Sequence, residues 1–169
     1  MKFIVPHLDR WKPVVGEDGP MPHPDPHADR LLTLDQWHAV RDKWPLSLPV
    51  GVAVPNSVDI ETLVGDLPRI ALIALQFPKW TDGRAYTQAR LLRSRYGYRG
   101  ELRATGEALV DMVPLLARTG FTAVQLRADQ NLEAARRALA FFPGHYQGDA
   151  VGNRPVFAHG EAAAAPLGA

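Results

Sequence analysis

The residues best placed to bind a ligand lie in a short polar loop that follows an apolar segment. The loop reads F-P-K-W-T-D-G-R at residues 77–84, and the preceding residues 70–75 are apolar. In open parallel sheets, ligands bind outside the carboxyl ends of the strands, and free N–H groups at a helix start favour an anion. Because Lys79 and Arg84 bracket this position, the pattern predicts a site for a small oxyanion or an acidic partner surface.

The same loop contains residues suited to ordering the start of a helix. Asp82 or Thr81 can accept a hydrogen bond from a free helical N–H group. Gly83 has no Cβ and would let a ligand approach the backbone closely. Capping alone is the alternative interpretation, because Asp-Gly is common where a strand leads into a helix.

Positive charge is concentrated in the segment that begins with this loop. Residues 79–103 contain seven basic and two acidic side chains, whereas the whole chain carries a net charge of +1. Arg90 lies on the predicted helix after the loop, and Arg103 lies inside the next predicted strand. A charged side chain in a central strand needs a partner, so Arg103 indicates a ligand pocket, a sheet edge or a subunit contact. The predicted ligand-binding residues are Lys79, Thr81, Asp82, Gly83, Arg84, Arg90 and Arg103.

Composition excludes several classes of function. The chain has no cysteine, which removes disulfides, thiolate nucleophiles and Cys-ligated metal centres. His23 and His27 are separated by Pro-Asp-Pro, without a helix to bring them together, so we expect no metal site. No dinucleotide, P-loop, nucleophile-elbow or zincin motif is present, and no catalytic residue can be assigned. The low net charge argues against a nucleic-acid or membrane partner.

Strand and helix patterns alternate along most of the chain. Apolar or alternating runs predict strands at residues 50–54, 69–75, 101–105 and 121–127, each followed by a helical pattern. Such βα units imply an α/β domain with a mainly parallel sheet. We favour an open doubly wound sheet, extended by an N-terminal strand near residues 2–7. The alternative is a half (βα)₈ barrel that pairs with a second copy.

The chain divides into three parts by composition. Nine of the fifteen prolines precede residue 56, and residues 1–30 are expected to be an extended segment. Residues 31–147 form the predicted α/β domain, and residues 148–169 the predicted flexible tail. No apolar run approaches the length of a membrane span, so we expect a cytoplasmic protein.

Two motifs give the chain a family resemblance. The runs F-P-x-x-T-D-G-R at residues 77–84 and Y-x-G-E-L-R-A at residues 98–104 resemble a bacterial family, domain of unknown function 934. The similarity spans roughly residues 31–147. Many relatives carry Arg-Cys-Gly-Phe where this chain has R-T-G-F at residues 118–121, so no thiol is present at that position.

The resemblance implies a place in sulfur assimilation. Members of the family are commonly labelled as oxidoreductases involved in sulfite reduction, and they look like companions of sulfite reductase haemoproteins. The resemblance therefore implies an accessory protein of assimilatory sulfite reduction, with a sulfite reductase haemoprotein subunit as its partner. It supplies neither a mechanism nor a cofactor.

Three functions stay open from the sequence. The first is the accessory protein, which binds a small oxyanion or an acidic partner surface through the basic loop. The second is an oxidoreductase with an unrecognised cofactor such as a flavin, since flavodoxin-like folds bind flavin with little sequence signature. The third is a non-catalytic homodimer subunit.

Overall fold

The fold is an α/β domain built on seven parallel strands. The computed structural model describes residues 1–16, 19, 21–141 and 150. The strands are β1 Lys2–Phe3, β2 Lys12–Pro13, β3 Arg30–Thr33, β4 Val50–Val54, β5 Ile70–Phe77, β6 Glu101–Gly106 and β7 Ala123–Val124. Their order in the sheet is β1-β7-β6-β5-β4-β3-β2. Every neighbouring pair is parallel. This confirms the predicted α/β class and its parallel sheet.

Short helices connect the strands. The α-helices are α1 Leu34–Val40, α2 Arg84–Arg90, α3 Val113–Thr119 and α4 Leu132–Phe141, and a π-helix, Leu91–Arg95, continues α2. The 3-10 helices are Pro6–Leu8, Arg41–Lys43, Ile60–Arg69 and Val110–Met112. Within the described residues, no helix combines the length and the apolar character needed to cross a bilayer.

The strand order decides between the two layouts left open by the sequence. From β2 to β7, every connection leads to the next strand in the same direction. Right-handed crossovers that all step in one direction place their helices on the same face of the sheet. A doubly wound sheet needs a reversal of direction to cover both faces. The sheet is therefore an open half-barrel, which corresponds to the alternative layout.

The helix-covered face forms the main apolar core. Leu32, Val52, Ile73 and Leu102 lie side by side in register on β3 to β6, and all are fully buried. Packed with them in one core cluster are helical side chains, including the indole of Trp37. Burial of this continuous row is the main hydrophobic contribution to the fold.

The opposite face, here called the concave face, is partly polar. Its central row contains Ala74, Arg103 and Ala123 in register, and the next row toward the carboxyl ends contains Gln76 and Thr105. Arg103 therefore lies one level below Gln76 and Thr105 on this face.

The N-terminal segment crosses the lower half of this face. Residues 4–11 connect β1 at one edge of the sheet to β2 at the other. On the way, Asp9 bonds to Arg103 on β6, and Trp11 packs against Gly51 on β4. The distance from β1 to β2 across a flat sheet would be six strand spacings, or about 29 Å. The nine residue steps from Phe3 to Lys12 reach about 30 Å when fully extended. Since the segment also contains a 3-10 turn, the curvature of the sheet brings its edges within reach.

The sequence predicts several helix ends from capping side chains and glycines, with Thr33 or Asp35 as the cap of the first helix, and the structure confirms them. Thr33 caps α1 in a capping box with Gln36, and Asp59 caps the following 3-10 helix by accepting from the Glu61 N–H. Gly97 and Gly120 both end helices with positive φ, at 64° and 105°.

Other boundaries differ from the sequence patterns, which predict a kink at Pro114 and a helix cap at Asp129. Pro114 lies in the first turn of α3, where its missing N–H breaks no helical bond, so it does not kink the helix. Asn131 caps α4 by accepting from Ala134 N–H at 2.9 Å, whereas Asp129 is paired with Arg127. The strand predicted at 121–127 is only two residues long, and β2 and β3 were not predicted. The expected tail lies almost wholly outside the described residues, and the three-part division stays a prediction.

Arg93 connects three elements at the lower, amino-terminal end of the strands. Its Nε donates to the Gly120 carbonyl at 2.9 Å, and its Nη1 donates to the carbonyls of Tyr98 at 2.6 Å and Gly100 at 2.9 Å. Burial lowers the pKa of this guanidinium. A Cβ at Gly120 would lie 2.5 Å from Arg93 Cγ, and a Cβ at Gly100 would lie 2.2 Å from the Tyr98 hydroxyl oxygen. The Y-x-G part of the second motif and the glycine of R-T-G-F therefore have structural roles.

We expect Arg93→Ala to destabilise the protein by about 2–4 kcal/mol, because three buried carbonyl groups lose a charged donor. Arg90→Ala is the matched control, since Arg90 is exposed on the same helical segment, and we expect it to change stability by less than about 0.5 kcal/mol. Urea unfolding followed by circular dichroism measures both. Equal stability of the two variants would contradict the structural role of Arg93.

Candidate functional site

The carboxyl ends of β4, β5 and β6 border an open depression of about 500 Å³. Its lining includes Asn56 and Ser57 after β4, Gln76 and Pro78 at the end of β5, and Thr105 on β6. The crossing segment covers the lower concave face, whereas Gln76 at the upper end is exposed. In barrels built from βα units, this end of the sheet is where ligands bind. The depression is therefore the candidate functional site.

A second depression of about 250 Å³ lies on the outer side of Asn56, against α2. Gln88 on α2 donates to the Pro55 carbonyl at 3.1 Å and the Val58 carbonyl at 2.8 Å, which fixes the loop after β4. Asn56 Nδ2 and Gln88 Oε1 have no hydrogen-bond partner within the described residues, although both residues are buried. Unpaired buried polar atoms are uncommon in folded proteins. Because Asn56 lines both depressions, it forms the wall between them.

The loop between β5 and α2 is ordered by an ion pair of its own. Arg84 donates from Nε to Asp82 Oδ1 at 3.0 Å and from Nη2 to Oδ2 at 2.7 Å. Its backbone N–H also donates to Asp82 Oδ1 at 3.3 Å, whereas the N-cap position of α2 is Gly83, which has no side chain to cap the helix. The side-chain bond from Arg84, with a smaller effect of nearby Asn56, holds the pKa of Asp82 well below its usual range. The charge of Arg84 is therefore compensated within the loop.

Arg103 lies apart from this loop. Its partner in register is Ala74, three residues before the end of β5, a rise of about 10 Å. Its guanidinium donates to Glu101 Oε1 from Nε at 3.1 Å and from Nη2 at 2.8 Å, and it also bonds to both carboxylate oxygens of Asp9. The structure therefore places Arg103 in a separate, buried ion cluster.

The remaining predicted site residues are exposed to solvent. Lys79, Thr81 and Gly83 lie in the loop, and Arg90 lies at the end of α2, all exposed to solvent. Lys79 and Arg90 form no ion pair with any described residue. Trp80, between them in sequence, has 58% of its surface exposed. The structure thus groups residues 79–84 on one loop, in which Lys79 is an uncompensated cation, and Arg90 is a second one at the far end of α2.

Sequence reasoning missed Asn56, which lines the site, and Gln88, which fixes the loop that carries Asn56. The Pro-Asn pair after the apolar run of β4 indicated a turn and nothing more. Gln88 lies within the helical pattern, where a glutamine is an ordinary surface residue. Only the packing of α2 against the loop after β4 brings them together.

An ion triad occupies the next stretch of the rim. Arg127, after β7, pairs with Glu107 at 2.6 Å and with Asp129 at 2.6 Å. Its hydrogen bond lowers the pKa of Asp129 to about 2. The triad connects the ends of β6 and β7, and within it Arg127 is not a free cation. Within the described part of the chain, no group of three or more metal-binding side chains comes together.

These features define a class of protein: a single-domain α/β half-barrel with an open depression at the carboxyl ends of its central strands. The family model of bacterial proteins of unknown function, DUF934, matches residues 51–157. The chain belongs to this family, as its two motifs indicated. Searches of curated proteins and of solved structures found no match.

Two glycines that border the site should differ in how much stability the protein loses when each is replaced by alanine. Gly106 has φ of 86°, and a Cβ there would lie 2.4 Å from the Phe77 carbonyl oxygen, whereas a Cβ at Gly83 meets nothing closer than 3.8 Å. We expect Gly106→Ala to cost about 1–3 kcal/mol, and Gly83→Ala to change stability by less than about 1 kcal/mol. Thermal unfolding of both variants tests this, and a destabilised Gly83→Ala would show that the fold itself requires this glycine.

The ionisation of Asp82 should depend on Arg84. We expect Arg84→Gln to raise the pKa of Asp82 toward its ordinary value of 3.8, measured from the carbon-13 shift of its carboxyl group. Since the folded-state pKa is lowered, the pair stabilises the fold above about pH 4 and this contribution is lost as pH falls further. Arg95→Gln, which removes a different exposed pair with Glu61, is the control. An unchanged Asp82 titration in Arg84→Gln would refute the pairing.

Proposed function

We propose that this protein is an accessory factor of assimilatory sulfite reduction that binds an acidic surface of a sulfite reductase subunit. Membership of the family supports the general assignment, and the link to sulfur assimilation rests on the labels of similar bacterial proteins. The proposed binding surface combines exposed residues of the β5–α2 loop with Arg90 at the end of α2, and is here called the basic rim. It contains Lys79, Trp80 and Arg90.

The observation that carries this proposal is the distribution of paired and unpaired cations. Arg84 and Arg103 are compensated by carboxylates, whereas Lys79 and Arg90 are exposed and unpaired within the described residues. Charges at an exposed rim steer a partner of opposite sign and set its orientation. An exposed tryptophan between them in sequence is a residue type enriched in the energetic centres of interfaces.

The same distribution disfavours a small oxyanion held by the loop alone. Enclosed anion sites need donors directed inward, and the guanidinium of Arg84 already donates to Asp82 at two positions. Lys79 and Arg90 instead face solvent. A macromolecular surface can contact Lys79 and Arg90 at once. We therefore favour an acidic partner surface over a small oxyanion as the ligand of this region.

Charge reversal of the basic rim tests the proposal. We expect the double variant Lys79→Glu with Arg90→Glu to lose at least about tenfold in affinity for a sulfite reductase subunit, because two attractive contacts become repulsive. The measurement is affinity purification from cells growing on sulfate, followed by titration of the purified subunit. The loss should shrink at high salt, since exposed charges are screened.

The matched control reverses two exposed cations elsewhere, Lys43→Glu with Arg137→Glu, with the same change in net charge. Equal recovery of the subunit by both double variants, or recovery of none by the parent protein, would reject the proposal. The visible absorption spectrum of the purified protein distinguishes the accessory factor from an oxidoreductase with a bound flavin, because a flavin absorbs visible light. Size-exclusion chromatography separates it from a homodimer subunit.

A further inference from the structure

Arg103 is the most deeply buried charged residue of the described part of the chain, with 1% of its surface exposed. Its guanidinium has two partners that occupy different donors. Glu101 accepts from Nε and Nη2, and Asp9 accepts from Nη1 and Nη2. The bond pattern to Asp9 is the two-point geometry by which arginine binds carboxylates and other oxyanions.

The two carboxylates are held very differently. Glu101 is part of β6, shares the concave face with Arg103 two residues away, and bonds to Lys2 at 3.2 Å through its other oxygen. Asp9 belongs to the crossing segment, between strands of only two residues each. Pro6, His7, Leu8 and Arg10 beside it are all exposed. A local movement of residues 6–10 would remove Asp9 without disturbing the sheet.

The cluster without Asp9 would be an ordered anion site. Lys2 and Arg103 carry two positive charges and Asp9 and Glu101 two negative charges, so removal of Asp9 leaves one net positive charge. Glu101 still fixes the plane of the guanidinium, with Nη1 and Nη2 directed at the vacated position. The Asp9 side chain is 11% exposed, so this position borders solvent and an ion can reach it.

We propose that Arg103 is an anion-binding residue whose site Asp9 occupies in this conformation. The ligand is a small anion with two adjacent oxygens, such as sulfate, sulfite, phosphate or a carboxylate, and it binds by displacing Asp9. The matched family region, residues 51–157, includes Glu101 and Arg103 and excludes Asp9. This division agrees with a binding residue in the family domain and an occupant supplied from outside it. The inference is independent of the basic rim and of its partner.

Isothermal titration of the full-length chain tests the proposal at constant ionic strength, with sulfate, sulfite, phosphate and acetate as separate probes. We expect Asp9→Asn to bind at least one of them about tenfold more tightly than the parent protein, because the competing carboxylate is gone while its shape is kept. The probe that gains most identifies the ligand class. Adding Arg103→Leu to Asp9→Asn should abolish the gain.

The matched control is Asp29→Asn, which removes one carboxylate from the same N-terminal segment, where Asp29 pairs with exposed Arg10. Equal affinities of Asp9→Asn and Asp29→Asn for every probe would overturn the proposal. So would a gain that survives Arg103→Leu, since that would be an adventitious ion only. Lys79 and Arg90 variants should leave this titration unchanged.

A second measurement covers the case in which Asp9→Asn does not fold. In the parent protein, the Trp11 backbone N–H donates to Asp9 Oδ1 at 3.3 Å, so displacement of Asp9 exposes this amide. We expect sulfate, compared with chloride at the same ionic strength, to accelerate hydrogen exchange of Trp11 and to leave that of Leu102 in β6 unchanged. An unchanged exchange rate of Trp11 across the sulfate titration would contradict displacement.

Discussion

Each connection from β2 to β7 steps in the same direction along the sheet, so the helices between these strands pack on one face and the apolar core forms there. The other face receives none of these crossover helices and must be covered by another part of the chain. The N-terminal segment meets that need in part, with Trp11 against Gly51 and Asp9 against Arg103. What it leaves uncovered is the upper end, where the open depression lies.

The residues of the family motifs separate by their position along the strands. Arg93, Tyr98, Gly100 and Gly120 meet at the amino-terminal end, where their contacts hold α2, β6 and the turn before β7 together. The F-P-K-W-T-D-G-R loop lies at the opposite end, beside the depression. In folds built from βα units, the first end serves stability and the second serves function. One continuous stretch of sequence therefore contributes both to stability and to function. A motif alone does not show which of its residues has which role.

Electrostatic pairing reduces the number of cations in the basic segment, residues 79–103, that are available to a ligand. Of its seven cations, Arg84, Arg93, Arg95 and Arg103 bond to carboxylates or carbonyls of the described chain. A paired guanidinium orders the loop or the strand that carries it, and it attracts an anion less than a free one does. The three other cations, Lys79, Arg90 and Arg99, are exposed and have no carboxylate partner within the described chain. The formal charge counted along the sequence therefore overestimates the positive charge that a ligand would encounter.

The sequence alone specifies the α/β class, the strands β4, β5 and β6, the cap at Asp59 and the loop of residues 77–84, and it narrows the cap of α1 to Thr33 or Asp35. These features depend on local periodicity and on side chains that bond within a few residues, so the neighbouring sequence contains the information. It did not determine β2, β3 or the short extent of β7, since these strands are defined by pairing with distant ones. Tertiary structure alone decided the half-barrel layout, the pairing of Arg103 with Asp9 across 94 residues and the meeting of Asn56 with Gln88. Asp9 meets Arg103 only when the crossing segment closes over the sheet, and Gln88 meets the loop of Asn56 only when α2 packs against it. A local pattern contains no record of either contact.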